Sequence, residues 1–165
     1  MIKAVLFDMD GVMFDTEKLM KQGWEKACRQ MGFTLTEEHF KYMRGSSRAR
    51  STQLFEQWFG KRISYDKGRA IRTQYVNDYI AKNSVPVKEG LKELVEFLKE
   101  QRIPAAVATS TPRIQAEHYW ELAGIAQFLT ASVCGDEVKN SKPDPEIFLT
   151  AARKLKVSPG SCLVL

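Results

Sequence analysis

Ile2-Lys3-Ala4-Val5-Leu6-Phe7-Asp8-Met9-Asp10-Gly11-Val12 is the stretch on which the fold turns. Residues 2–7 form a short apolar, β-branched run that ends abruptly at Asp8. A buried parallel strand reads this way, because both of its faces are covered and polarity returns only at its end. Two carboxylates two residues apart, meeting a glycine at once, are thereby delivered to one strand end. Taken alone, Asp8 and Asp10 fit equally well a pair of acids that caps or solvates a loop, so the rest of the chain has to decide.

Beyond residue 15 the pattern changes. Met20, Trp24, Ala27, Cys28 and Met31 recur at helical spacing, and Gly32 is well placed to stop that helix. Further helical stretches are expected near 36–43, 48–59 and 66–82, broken by Gly45 and Gly60. From residue 84, Pro86 and Gly90 punctuate the chain, and Leu91, Leu94, Val95 and Leu98 lie on one helical face. Strands then alternate with helices. A strand at 103–108 precedes a helix whose first turn tolerates Pro112, and a strand at 129–133 precedes a helix opened by Pro145. That last helix carries Ile147, Phe148, Ala151, Ala152 and Leu155 on its apolar face, and residues 161–165 read as a fourth strand. The alternation predicts an α/β fold with a doubly wound parallel sheet, whose ligand sits beyond the carboxyl ends of the strands. The purely helical block 15–83 is expected as an insertion after the first strand, leaving 1–14 and 84–165 to build the core.

Each later strand also ends in groups suited to phosphate. The strand at 103–108 runs into Thr109-Ser110-Thr111, which offers hydroxyls and backbone N–H groups at a helix mouth where the dipole favours an anion. The same residues suit a plain N-cap. After the third strand, Ser141-Lys142-Pro143-Asp144-Pro145 sets Lys142 between a polar loop and a helix start, a common setting for a surface lysine. An acid pair, a hydroxyl and a lysine on successive strand ends, in that order, is a far rarer coincidence than any one of them.

Together these residues resemble the haloacid dehalogenase (HAD) superfamily of phosphohydrolases, in the branch with a helical cap that includes β-phosphoglucomutase and sugar-phosphate phosphatases. Asp8-Met9-Asp10-Gly11-Val12 with Asp15-Thr16-Glu17 matches the first motif, Thr109 the second and Lys142-Pro143 the third. The resemblance covers essentially the whole length. It implies a HAD-like, Rossmann-type core with an inserted α-helical cap that excludes water and reads the substrate. The implied activity is that of a Mg²⁺-dependent phosphatase acting on a small phosphorylated metabolite, a sugar phosphate, through an aspartyl phosphate. Asp8 would be the nucleophile, and Asp10 would protonate the leaving oxygen and then activate water. Mg²⁺ would be held by an Asp8 oxygen and the Asp10 carbonyl, and Met9, Thr109, Ser110 and Lys142 would cradle the phosphoryl group.

Within the insertion, Gly45-Ser46-Ser47-Arg48 resembles a substrate-specificity loop, with Arg48, and less strongly Arg72, meeting an anionic group of the substrate. A surface arginine on an amphipathic helix produces the same pattern. Met20 falls where the mutase branch carries a histidine, which favours hydrolysis over a β-phosphoglucomutase-like phosphosugar mutase. Receiver domains of signalling systems also place an aspartate, a hydroxyl residue and a lysine on successive strand ends. Their acceptor aspartate is not expected after the first strand, and they need no helical insertion there. The family supplies further acids for the metal just after its fourth strand, whereas this sequence reaches Leu163-Val164-Leu165 without them. The expectation is a C-terminally truncated chain that binds Mg²⁺ weakly and hydrolyses poorly, or an inactive family member. Asp136, Glu137 and Asp144 fall on other loops and are not expected to substitute.

Bulk properties narrow the partners. The 165 residues are 44% hydrophobic and 27% charged, an ordinary globular balance. The net charge of +5 is spread among interleaved acids, without a dense basic run or stacking motif, so no nucleic-acid partner is expected. Cys28, Cys134 and Cys162 are odd in number and lack metal-type spacing, which predicts free thiols and a cytoplasmic setting. No apolar run is long enough for a membrane span. A monomer is the default. His39 and His118 stand apart without ligand spacing, and Trp24, Trp58 and Trp120 fit apolar helix faces.

Overall fold

The structure is a computed structural model that describes residues 1–43, 46 and 48–165. Four parallel strands form one sheet: β1 (Ala4–Phe7), β2 (Ala105–Ala108), β3 (Ala131–Val133) and β4 (Cys162–Val164), in the order β3-β2-β1-β4. The helices are α1 (Thr16–Met31), α2 (Glu37–Met43), α3 (Arg48–Phe59), α4 (Tyr65–Asn83), α5 (Leu91–Glu100), α6 (Arg113–Ala123) and α7 (Glu146–Lys154). Strands 2 to 4 are shorter than their apolar runs suggest. A turn at 101–102 and a 3₁₀ turn at Ala126–Phe128 precede β2 and β3, and 103–104 and 129–130 lie outside the strands.

Every residue of β1 and β2 is buried, as strands covered on both faces require. Alanine is a poor strand former, yet it supplies three of the four β2 residues. Its small side chain explains the choice. Leu6, Ala106, Ala108 and Val133 on one sheet face pack with Ile147, Ala151 and Ala152 of α7, so small residues on both sides bring helix and sheet close. The register aligns Phe7 with Val107 and Ala108 with Val133, which brings the residues after each strand to one edge. Strands β2 and β3 lie on one side of β1 and β4 on the other, so the winding reverses at β1. The carboxyl end of β1 is therefore the switch point where a ligand crevice forms in such sheets.

The chain divides into two compact units: Met1–Thr16 with Ser84–Leu165, and Glu17–Asn83. The first boundary falls just after Asp15 and Thr16 because both are tied to the sheet unit. The Asp15 N–H donates to the Pro86 carbonyl, Lys88 Nζ pairs with Asp15 at 3.2 Å, and the Thr16 hydroxyl donates to Asp10. The helical unit has its own core of Trp24, Ala27, Phe55, Ile63 and Tyr65. The Trp24 and Phe55 ring centroids lie 5.3 Å apart and those of Phe55 and Tyr65 5.1 Å apart, within the stacking range of aromatic clusters. Trp24 and Trp120 are buried, as their helical spacing predicts. His39 packs against Trp58 and accepts the Thr36 N–H at Nδ1, a structural role. No helix among the described residues is long and apolar enough to cross a membrane.

Candidate active site

Asp8 follows β1 directly, and its backbone N–H donates to the Leu165 carbonyl of the neighbouring β4 side. Its Oδ1 accepts the Met9 N–H at 2.7 Å and pairs with Lys142 Nζ at 2.8 Å. No hydrogen bond from the described residues reaches Oδ2. The carboxylate is therefore anchored by one oxygen and open at the other. Lys142 Nζ also donates to the Ala108 carbonyl at 3.0 Å and lies 4.8 Å from the Phe148 ring centroid. Ala108 is the last residue of β2 and the one before Thr109, so Asp8, the start of the Thr109 loop and Lys142 meet at one sheet edge.

Thr109 is fully buried. Its N–H extends the ladder to the Val133 carbonyl, and its Oγ1 accepts the Thr111 N–H at 3.1 Å. That leaves the Thr109 hydroxyl proton for another acceptor. Ser110 is exposed, and its N–H reaches no acceptor among the described residues. The side chain of Met9 is fully buried, and its N–H is occupied by Asp8.

Asp10 is held differently. Its Oδ1 accepts the Thr16 hydroxyl at 2.6 Å and its Oδ2 the Thr111 hydroxyl at 2.7 Å. No N–H of the described residues reaches its backbone carbonyl. The Asp8 carboxylate and this carbonyl present hard oxygen donors, the kind Mg²⁺ takes, because that ion keeps several waters and completes its shell with phosphate oxygens. In chemistry these donors fit the metal, and they supply part of its shell.

The loop that carries Lys142 is braced from below. Glu146 accepts the N–H groups of Lys139 and Asn140 at 3.0 and 2.9 Å, and Asp144 accepts the Glu146 N–H at 2.9 Å. The amides of Lys139 and Asn140 hold the Glu146 carboxyl below its ordinary range. Asp136 accepts the first N–H of α6 from Arg113. Glu137 accepts from the Cys134 N–H, from Arg113 and from Lys154. Partial burial opposes the charge on Glu137, but the Cys134 amide, Arg113 and Lys154 overcome it and hold its pKa at about 2. Cys134, Asp136 and Glu137 bring three ligand-type atoms within 4.8 Å of one another. Arg113 and Lys154 already neutralise that carboxylate, so the cluster ties α6, β3 and α7 together. Burial pushes the Cys134 thiol up to about 11.

Sequence reasoning passed over Gly135 and assigned no role of its own to Thr111, Glu146 or Thr16. A Cβ on Gly135 would stand 2.2 Å from the Ser110 carbonyl oxygen, so only glycine lets the loops after β2 and β3 touch. A glycine two residues beyond an expected strand was the available signal.

Arg48 and Arg72 lie in the helical unit, each engaged within it. Arg48 pairs with Asp66 Oδ1 through Nε at 3.0 Å and Nη2 at 2.9 Å. Arg72 lies over the Trp24 ring at 5.8 Å, and its backbone packs where Gly23 has no side chain. Gly45 and Ser47 of the expected specificity loop lie outside the described residues.

A parallel α/β sheet whose switch point gathers two carboxylates, buried hydroxyls and a lysine belongs to the class of proteins that handle small anions at strand ends. Residues 5–165 match the haloacid dehalogenase-like hydrolases, and the chain belongs to that family. It is 33% identical to the phosphorylated carbohydrates phosphatase of Thermotoga maritima, covering 99% of this chain and 75% of that protein. It is 30% identical to the β-phosphoglucomutase of Bacillus subtilis, covering 99% of this chain and 74% of that protein. The fold is also that of CbbY from Rhodobacter sphaeroides, solved in complex with phosphate. That match has a TM-score of 0.77 at 24% identity and covers 99% of this chain and 77% of the other. The chain is thus an enzyme of a hydrolase family whose named relatives include phosphatases.

Proposed function

We propose that this enzyme is a Mg²⁺-dependent phosphatase for a small phosphorylated metabolite, a sugar phosphate, and that it works through an aspartyl phosphate on Asp8. The observation that carries the reading is the 2.8 Å pair between Lys142 Nζ and Asp8 Oδ1, which leaves Oδ2 open for attack. Asp8 Oδ2 bonds to phosphorus as the ester oxygen leaves, and Asp10 gives that oxygen its proton. Asp10 then takes a proton from water, whose oxygen attacks phosphorus, releasing inorganic phosphate and restoring Asp8. Lys142, the Thr109 hydroxyl and the Ser110 N–H hold the equatorial oxygens, where charge stabilisation is the main help a protein gives to phosphoryl transfer. Mg²⁺ would be held by Asp8 and the Asp10 carbonyl, and when bound it would offset negative charge on the phosphate.

The sugar-phosphate class is supported by relatives named for phosphorylated carbohydrates and for N-acetylmuramic acid 6-phosphate. We read the helical unit 17–83 as the cap, with Arg48 and Arg72 as its candidates for substrate contact. Free cysteines suit a cytoplasmic setting. A second reading, a phosphosugar mutase, is favoured by the β-phosphoglucomutase relative and opposed by Met20.

The test is inorganic phosphate released from a panel of sugar phosphates with Mg²⁺. Release that Asp8→Asn abolishes is expected. Release that survives Asp8→Asn, or none from any ester, overturns the reading. Activity that depends on a bisphosphate and conserves the phosphate selects the mutase.

A further inference from the structure

Thr111 stands two residues beyond the motif hydroxyl Thr109, and its groups are committed in three directions. Its N–H donates to Thr109 Oγ1 at 3.1 Å, and its carbonyl accepts the Gly135 N–H at 3.1 Å. Its hydroxyl donates to Asp10 Oδ2 at 2.7 Å, across 101 residues of sequence. The hydroxyl does not cap the helix that follows, because Asp136 accepts the first N–H of α6.

We propose that Thr111 is a positioning residue for the acid–base carboxyl of Asp10, an inference that rests on the function proposed above. A carboxylate held at one oxygen can still swing about its last torsion, which is a broad, soft one. A carboxylate held at both oxygens cannot. Thr16 fixes Oδ1 from the β1 side and Thr111 fixes Oδ2 from the β2 side, so the carboxyl plane is set by two strand ends. The backbone of Thr111 is pinned at both its N–H and its carbonyl, which makes its hydroxyl a fixed point.

A hydroxyl also suits the task better than an ammonium. It donates to an ionised carboxylate, and to the unprotonated oxygen when the other carries the acid proton. The contact therefore persists while Asp10 gives a proton to the leaving oxygen and later takes one from water. A lysine in the same place would hold only the charged form.

The test compares Thr111→Val, which keeps the shape and removes the hydroxyl, with Thr111→Ser, which keeps the hydroxyl. In the valine variant, kcat for phosphate release is expected to fall about ten- to a hundredfold, the scale of a misplaced acid–base group. KM and the affinity for inorganic phosphate should stay within about twofold, since Asp8, Thr109 and Lys142 are untouched. Serine should restore most of kcat. A readout independent of turnover is the ¹³C resonance of the Asp10 carboxyl carbon. It should move or broaden in Thr111→Val and return in Thr111→Ser.

An unchanged kcat, or an unchanged Asp10 resonance, overturns the proposal while leaving the phosphatase reading intact. A fall in kcat matched by lost phosphate affinity and not rescued by serine makes Thr111 a phosphate ligand or a packing residue, which overturns it equally. Turnover that survives Asp8→Asn instead condemns the function itself, and the Asp10 resonance still decides whether the clamp exists.

Discussion

Replacing Gly135 with alanine tests how tightly the loops after β2 and β3 are locked. The new Cβ would meet the Ser110 carbonyl oxygen at 2.2 Å, its carbon at 2.7 Å and its Cα at 3.1 Å. Carbon–oxygen contacts settle at about 3.3 Å or more, so one loop must retreat by roughly 1 Å. All three obstructing atoms are backbone, and no rotamer change relieves them. Gly135 is not in the left-handed region, so the cost is contact and not conformation. Overpacking of this kind costs about 1–3 kcal/mol, and the strained Gly135 N–H bond to the Thr111 carbonyl adds up to about 1 kcal/mol. For a chain of this size that lowers Tm by roughly 2–16 °C. The retreat also displaces Ser110 beside the proposed phosphate cradle, and a 1 Å misplacement costs on the order of a hundredfold in rate. Circular-dichroism melting and phosphate release at saturating substrate measure both effects. A Tm within a degree of the parent with unchanged kcat would refute the claim that this contact sets the loop geometry.

Three further outcomes follow from the same geometry. The Glu137 carboxyl, held at about 2 in the fold against an ordinary 4.5, stabilises the protein fully above pH 4.5 and loses that contribution as pH falls through 2. With its side chain 31% exposed, screening discounts the effect to about 1–2 kcal/mol. Urea titrations of parent and Glu137→Gln should therefore show a gap near pH 7 that narrows between pH 4.5 and 2, and a pH-independent gap would contradict the network. Burial raises the Cys134 thiol to about 11, so a maleimide at pH 7.5 should label Cys134 only after unfolding; rapid labelling of the native protein counts against its buried, protonated state. Lys142→Met keeps the stem over Phe148 and removes the ammonium from Asp8, so kcat should drop about a hundred- to a thousandfold with a small change in Tm. A drop of less than tenfold would remove Lys142 from the mechanism.

The strands and helices were legible because burial leaves a one-dimensional trace. Residues 2–7 read as a covered strand, and Leu91, Val95 and Leu98 as a covered helix face, since apolar spacing records which side meets the core. The shortening of β2 to Ala105–Ala108 was not legible, because Pro104 still accepts the Val5 N–H at its carbonyl but has no N–H of its own to donate. Asp8, Thr109 and Lys142 were singled out by their place at successive strand ends, and the fold brings Asp8 and Lys142 into contact. Thr111 and Gly135 were not, because their importance lies in a hydrogen bond and a contact between segments that sequence spacing does not bring together. Glu146 was hidden in a different way. It sits in the first turn of α7, where an acid is expected for the helix dipole alone, and only the fold reveals that it grips two amides of the Lys142 loop.

The two carboxylates of the opening motif are alike in sequence and unlike in setting, a difference that suits the separate roles proposed for them. Asp8 has a cationic and an amide partner crowded on one oxygen, an arrangement that leaves the other oxygen without a partner among the described residues. Asp10 has a neutral hydroxyl on each oxygen, an arrangement that fixes direction without fixing the proton. The cation reaches Asp8 from the loop before α7, and the second hydroxyl reaches Asp10 from the loop after β2. Each acid has one partner from its own motif and one from more than a hundred positions away, Lys142 for Asp8 and Thr111 for Asp10, which only the parallel sheet brings alongside.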